Sequence, residues 1–193
     1  TDLNSRDAAI GDFDEDEDLD FIVVNENTGN ILYSNQRQGV FKDVTAECGL
    51  KSEGGSSAVT AGDFNNDGYL DLFIASVTGG GHKLYQNLRN GNFEEVKNTK
   101  EMFLPLDNVK VNDASFLDFD NDGFLDLLVA GESSDKVGRG VLLYHNDGTG
   151  SFRDVSGLLP EEMKSGKQIA IFDYDDDGDL DVVIAGINGG VSL

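Results

Sequence analysis

The sequence predicts an all-β fold of β-propeller blades, each of four antiparallel strands. Three blades are full and a fourth is partial, as in a segment of a larger propeller. Three observations carry this. A nine-residue acidic window occurs four times, at 12–20, 63–71, 118–126 and 173–181, at intervals of 51, 55 and 55 residues. A short apolar run follows each window. In the first three units Leu-Tyr-x-Asn and Gly-x-Phe-x-x-Val segments come next, with the Tyr and Phe always eight residues apart. Four short strands in a repeat of about 50 residues is the pattern of a propeller blade.

Each unit justifies its strands in order. The first strand ends at the first Asp of the window. The second leaves the last Asp as Phe21-Ile22-Val23-Val24, Leu72-Phe73-Ile74-Ala75, Leu127-Leu128-Val129-Ala130 or Val182-Val183-Ile184-Ala185. These runs are too short for helices of ordinary length and are bounded by Gly, Asn and Asp. The third strand carries Leu-Tyr-x-Asn and the fourth Phe-x-x-Val. Their constant spacing is that of a hairpin of fixed length. In the second unit the strands fall near 57–62, 70–76, 82–88 and 92–97. Helical turns are expected only at 101–107 and 158–165, and the Gly-rich stretches 79–81 and 188–190 read as turns. The units run approximately over 7–56, 57–112, 113–166 and 167–193. The last stops within its second hairpin, which would leave an open edge, so the expectation is part of a longer polypeptide.

The chain has 193 residues and a formal net charge of −23, from 37 acids and 14 bases. The windows hold 20 of the acids and none of the bases, so the remaining 157 residues carry a net charge of only −3. Repulsion is therefore local, and disorder of the whole chain loses its support. A chain this acidic lacks the Lys/Arg footprint of a nucleic-acid binder. No apolar run reaches 18 residues, so a transmembrane helix is not expected. Cys48, the one cysteine, cannot form an internal disulfide.

Aligned, the windows read D-x-[DN]-x-D-[GE]-x-x-D. Side chains at positions 1, 3 and 5 converge as the backbone curls, and a carbonyl at position 7 and a carboxylate at position 9 complete an oxygen shell. Oxygen donors without His or Cys select Ca²⁺ over zinc, copper or iron. Mg²⁺ suits an all-protein cage less well. Carboxylates about 4 Å apart repel by about 4 kcal/mol per pair at an effective dielectric near 20, so the empty loop resists its folded shape. An EF-hand is excluded because its twelfth position requires Glu, whereas Val23, Ile74, Val129 and Ile184 stand there. Tandem nonapeptide calcium repeats do not recur at this interval.

On these motifs the chain resembles FG-GAP/VCBS-type repeats, the calcium-loop blades of integrin α-subunit propellers. Gly-Asp-Phe-Asn-Asn-Asp-Gly-Tyr-Leu-Asp with Leu-Tyr-x-Asn and Gly-x-Phe-x-x-Val is especially similar to ASPIC/UnbV and cartilage-acidic-protein-like propellers. The resemblance places the loop between the first two strands of a blade and implies up to four Ca²⁺ ions. Their side-chain ligands would be Asp12, Asp14, Asp16 and Asp20; Asp63, Asn65, Asp67 and Asp71; Asp118, Asp120, Asp122 and Asp126; Asp173, Asp175, Asp177 and Asp181. Position-7 carbonyls would come from Asp18, Tyr69, Phe124 and Asp179. The literal Phe-Gly and Gly-Ala-Pro signatures are absent, so integrin-like ligand recognition is not implied. Glu17 replaces the Gly at position 6, and a non-Gly residue there costs about 1 kcal/mol if φ is positive. Asn65 removes one charge from the second site.

Other functional readings are weaker. The stripe of Tyr33, Tyr85, Tyr144, Phe41, Phe93 and Phe152 reads as packing rather than a carbohydrate platform. His82 and His145 stand at different points of their units and form no ligand set. Cys48 reads as a small packing residue. No Ser/His/Asp set, P-loop or dinucleotide fingerprint is present, and the loops 25–30, 77–82 and 132–140 offer no convergent polar set. The expectation is a non-catalytic binding or scaffold module for a protein or glycan partner, or for the remaining blades or subunits of a larger assembly. Weak oxygen-only calcium sites fill at extracellular or periplasmic calcium levels. The alternative is the propeller portion of a polysaccharide-active or other secreted enzyme.

Overall fold

A computed structural model describes residues 4–50, 54–78, 81–135, 138–186 and 191–192. The first blade comprises β1 (Ser5–Gly11), β2 (Asp20–Asn25), β3 (Ile31–Asn35) and β4 (Phe41–Asp43). The second comprises β5 (Ser56–Gly62), β6 (Asp71–Ser76), β7 (Lys83–Asn87) and β8 (Phe93–Glu95). The third comprises β9 (Val109–Leu117), β10 (Asp126–Ser133), β11 (Val141–Asn146) and β12 (Phe152–Asp154). The fourth contributes β13 (Gln168–Phe172), β14 (Asp181–Ala185) and β15 (Val191–Ser192). Strands pair antiparallel in chain order within each sheet, and the four sheets do not close into a ring. The fourth strand of the second blade is shorter than expected, three residues against six.

The Tyr–Phe spacing has the expected cause. Asn35 pairs with Phe41, Asn87 with Phe93 and Asn146 with Phe152, so the same five-residue turn joins the third and fourth strands three times. A second regularity concerns the inner strands. One residue is bulged out of register in each complete blade, namely Arg6, Ser57 and Asn112, always six before the acidic window. A bulge sharpens strand twist, as a radial arrangement of sheets requires.

The core lies between blades rather than within them. Phe13, Ile22, Leu32, Leu72, Tyr85 and Phe93 pack between the first and second. Phe64, Phe73, Leu127, Tyr144 and Phe152 pack between the second and third, and Leu128, Leu143, Met163 and Ile184 between the third and fourth. This is why β6 and β10 read as unbroken apolar runs: both faces are covered, whereas β13 alternates between exposed and half-buried residues. Inner strands are also tied directly. The Asp7 carboxylate accepts the Val59 N–H at 2.9 Å, and Asp113 accepts the Ile169 N–H at 2.7 Å.

The connection after the second blade forms α1 (Thr99–Met102) and a 3-10 turn at Leu104–Asn108, close to the turn expected at 101–107. It delivers Phe103, 1% exposed, edge-on to Phe73 and Tyr144 at 5.1 and 5.3 Å between ring centres. Over 158–165 the expectation is corrected: the 3-10 turn lies at Ser156–Leu158, and 159–165 is turn and extended chain. Pro160 removes a donor; its carbonyl accepts the Met163 N–H in a single turn, and the Arg139 side chain and the Gly140 N–H bond to other carbonyls of the stretch. The Gly-rich turns at 79–80 and 188–190 lie outside the described residues. Cys48 is buried and its thiol donates to the Thr45 carbonyl at 3.4 Å, as fits a packing residue. His82 is buried too, with its ring stacked on Phe73 and its Nδ1 accepting the Ser76 N–H. Burial pushes its pKa down.

Because Phe103 fills the space between two blades, Phe103→Ala should cost about 3–5 kcal/mol, read as a lower midpoint in urea unfolding.

Candidate metal centres

Each acidic loop joins the first two strands of a blade, and its path is dictated by its own carboxylates. The position-1 side chain accepts two backbone donors. Asp63 takes the Asp67 N–H at 3.0 Å and the Gly68 N–H at 2.7 Å, and Asp12, Asp118 and Asp173 accept the equivalent pairs. Position 5 accepts the N–H of position 7: Asp16 from Asp18, Asp67 from Tyr69, Asp122 from Phe124 and Asp177 from Asp179, all at 2.9–3.1 Å. These bonds wrap the chain around its oxygens. The wrapping requires a left-handed backbone at two places. Position 4 has φ near +60° in Glu15, Asn66, Asn121 and Asp176. Position 6 has φ +68° at Glu17 and about +90° at Gly68, Gly123 and Gly178. The condition under which Glu17 is costly is therefore met.

Carboxylate oxygens at positions 1, 3 and 9 come together in three loops, as Asp12, Asp14 and Asp20, as Asp118, Asp120 and Asp126, and as Asp173, Asp175 and Asp181. Within each group the oxygens lie within 4.8 Å of one another. In the second loop Asn65 stands in place of the middle carboxylate, and its amide oxygen accepts the Asp67 N–H at 3.0 Å. Asp122 joins a different group, with Asp120 and His145. His145 was not among the expected loop partners: strand β11 carries its Nδ1 to 3.2 Å from Asp126 and 3.5 Å from Asp120.

The position-9 carboxylates are the most buried of these groups. Asp71 and Asp126 have no exposed surface and Asp20 has 2%. One oxygen accepts the N–H of the position-2 aromatic, from Phe13, Phe64, Phe119 or Tyr174. In the three complete blades the other oxygen accepts the N–H of the Leu-Tyr-x-Asn asparagine at 2.8 Å. Burial pushes the Asp71 carboxyl up to about 7, aided by the Asp67 and Asp63 charges against those two hydrogen bonds. Asp20, Asp126 and Asp14 are raised for the same first reason, burial, with neighbouring loop carboxylates adding to it. Asp14 also has an enclosed oxygen, Oδ1, with no hydrogen-bond partner among the described residues. Crowded, desolvated and partly unpartnered carboxylates suit a divalent cation.

The loops do a second job that sequence reasoning missed. The Asn87 amide donates to the carbonyl of Phe13 in the preceding blade at 2.9 Å, and the Asn146 amide donates to that of Phe64 at 2.7 Å. The same two loop residues place their rings against the fourth-strand phenylalanines, Phe13 on Phe93 and Phe64 on Phe152. Tyr85, Tyr144, Phe93 and Phe152 are thus packing residues, as expected, while Phe41 stays 43% exposed. Loops touch one another too, since Asn66 donates to the Gly123 carbonyl and Asn121 to Asp179. Arg37 forms an ion pair with Asp18 and donates to the Asp16 carbonyl beside the first loop. The recurring Asn was visible in the sequence, but its partner lies 74 residues away for Asn87 and 82 for Asn146.

Together these features define a propeller segment with acidic loops at its blade joints. A model of the FG-GAP-like repeat matches residues 12–74, 63–129 and 118–184, each span running from one loop through the next, and the chain belongs to this family. The solved structure of BBS1N in complex with ARL6DN, soaked with lead, has a similar fold. Its TM-score is 0.53 at 15% identity, over 99% of this chain and 55% of that one. The chain therefore spans about half the length of that neighbour, and at this identity the likeness is one of fold alone. No curated protein matches the chain.

Asn87→Ala or Asn146→Ala leaves buried carbonyls unpaired and should cost about 2 kcal/mol in urea unfolding. Asn35→Ala should cost less, because its amide reaches only the Leu19 carbonyl among the described residues. Glu17→Gly should gain about 1 kcal/mol by the same measurement.

Proposed function

We propose that the chain is a calcium-stiffened propeller segment that serves as a non-catalytic binding or scaffold module for a protein or glycan partner outside the cytoplasm. The single observation that carries the reading is the convergence of carboxylates at positions 1, 3 and 9 in three loops. Asn65 supplies the corresponding amide oxygen in the other loop. Hard oxygen donors in a flexible loop favour Ca²⁺. Bound there, the ion supplies charge compensation, which the buried position-9 carboxylates lack. Its role is structural, because the loops are also the blade joints. A site with a dissociation constant near 0.1 mM would add about 1.4 kcal/mol in about 1 mM calcium, which supports a working compartment outside the cytoplasm.

The partner class rests on less. BBS1N, the neighbour of similar fold, was solved in a complex with ARL6DN, which is a binding role for that protein. The Leu-Tyr-x-Asn and Gly-x-Phe-x-x-Val segments favour an ASPIC/UnbV-like member of the repeat family.

Chelation tests the reading. EDTA should lower the melting temperature of the chain, and an unchanged value would refute the calcium role. The pH dependence gives an independent sign. Asp71 has a folded pKa of about 7, above the ordinary carboxylate value, so its protonated form favours the fold. In EDTA this contribution is fully present below about pH 4 and is lost as pH rises through 7. With millimolar calcium the dependence should reverse, because the ion binds the ionised form.

A further inference from the structure

At the ends of the inner strands remote from the acidic loops, three blades meet around one cavity of about 180 Å³. Its lining includes all three bulged residues, Arg6, Ser57 and Asn112, with Glu26 and Lys110 beside them. A bulge re-aims a side chain, and here the same displacement brings three polar residues to one space. Ser57 Oγ is enclosed and has no hydrogen-bond partner among the described residues, which is costly unless a ligand supplies one. Arg6 pairs with Glu26 at 2.6 Å. The hydrogen bond from Arg6 holds the Glu26 carboxyl below its usual value, and the Lys110 charge adds to it. Lys110 makes no ion pair of its own among the described residues. The Asn112 amide is fixed by donating to the Gly166 carbonyl at 2.9 Å. Asp7 and Asp113, next to the bulges, are occupied, since each of their oxygens accepts a backbone N–H. Arg6 and Glu26 offset each other, so Lys110 and the Ser57 hydroxyl are the donors left over.

We infer that this cavity is a recognition pocket for one carboxylate, the side chain of an aspartate or glutamate on a protein partner, held by Lys110, Ser57 and Arg6. The inference rests on the reading of the chain as a binding module and gives that module a site and a partner chemistry. A carboxylate accepts several donors at once and matches an ammonium beside a hydroxyl. The cavity is smaller than the pockets that take drug-sized ligands and suits a single side chain. The charges of Asp7 and Asp113 limit it to one anionic group. A polyanionic glycan would bring many like charges against a chain of net charge −23. A protein can set one acid in an otherwise neutral or basic surface. Six residues of extended chain, about 20 Å, separate the pocket from the acidic loops, so it is distinct from the candidate cation sites.

The test titrates the full chain in millimolar calcium at constant ionic strength, with N-acetylglutamate α-methylamide as the probe. Nuclear magnetic resonance follows the backbone amides of Arg6, Ser57 and Asn112. Saturable shifts are expected at all three, half complete at about 10 mM for so small a ligand. The neutral N-acetylglutamine α-methylamide should leave them in place. Lys110→Gln, a change at an exposed side chain, should weaken binding of the acidic probe at least about tenfold. An equal response to the glutamine analogue overturns the inference, as does unchanged binding in Lys110→Gln. The comparison of the two probes needs no variant. Tighter binding of methyl glucuronide than of the glutamate probe overturns the protein partner in favour of an acidic glycan. Carboxylate binding by a chain that gains no stability from Ca²⁺ supports this pocket and overturns the calcium role alone. A Ca²⁺-stabilised chain without carboxylate binding overturns this pocket alone.

Discussion

A carboxylate removed from water has to be compensated, and Asp71 illustrates how this molecule is organised around doing so. It has no exposed surface, and each of its oxygens accepts a backbone N–H, one from Phe64 in its own loop and one from Asn87 on the third strand. Those two bonds close the loop and pin it to the sheet. They do not offset desolvation in full, since the group still prefers to be protonated until pH is near 7. The remainder is what a bound cation would supply. Asp20 and Asp126 repeat the arrangement, so the requirement is built into every complete blade.

The same loop residues carry the joints between blades. Phe64 gives its N–H to Asp71, receives the Asn146 amide on its carbonyl and rests its ring on Phe152. One residue thus links its own acidic loop to the blade that follows. Charge compensation in the loop and packing between blades are then parts of one cooperative unit. Single propeller blades bury little by themselves, and here the buried aromatic residues sit between sheets.

The four loops share a path but not a chemistry. The first places two non-Gly, non-Asn residues, Glu15 and Glu17, at left-handed positions, and Arg37 pairs with Asp18 beside it. Glu15 cannot donate to the next loop as Asn66 and Asn121 do. The second loop has one carboxylate fewer through Asn65. The third faces an imidazole. Repetition therefore sets the backbone, while the side chains around it grade the sites.

Much of this was legible in the residues alone. Spacing set the number of units, the strand order and the hairpin length, because period-two strands and a five-residue turn leave little freedom once the motifs recur. Of the expected positions 1, 3, 5 and 9, carboxylates at 1, 3 and 9 come together in three loops through the loop's own local geometry, which needs only nine consecutive residues, while position 5 stands outside those groups. What the sequence could not determine lies in contacts across long separations. Ser34, Gln86 and His145, third in their Leu-Tyr-x-Asn segments, differ in type yet each bonds to an acidic-loop carboxylate. Only the register of β3, β7 and β11 against the loops reveals that they share a direction. The partner of Asn87 is 74 residues away, and no local pattern carries that pairing. The 3-10 turn at Ser156–Leu158 is followed by a stretch that Arg139 and Gly140, about 20 residues earlier in the same unit, hold by hydrogen bonds to its carbonyls. Local sequence determines loops and strands because their hydrogen bonds close nearby. The joints arise only when separate blades are brought into register.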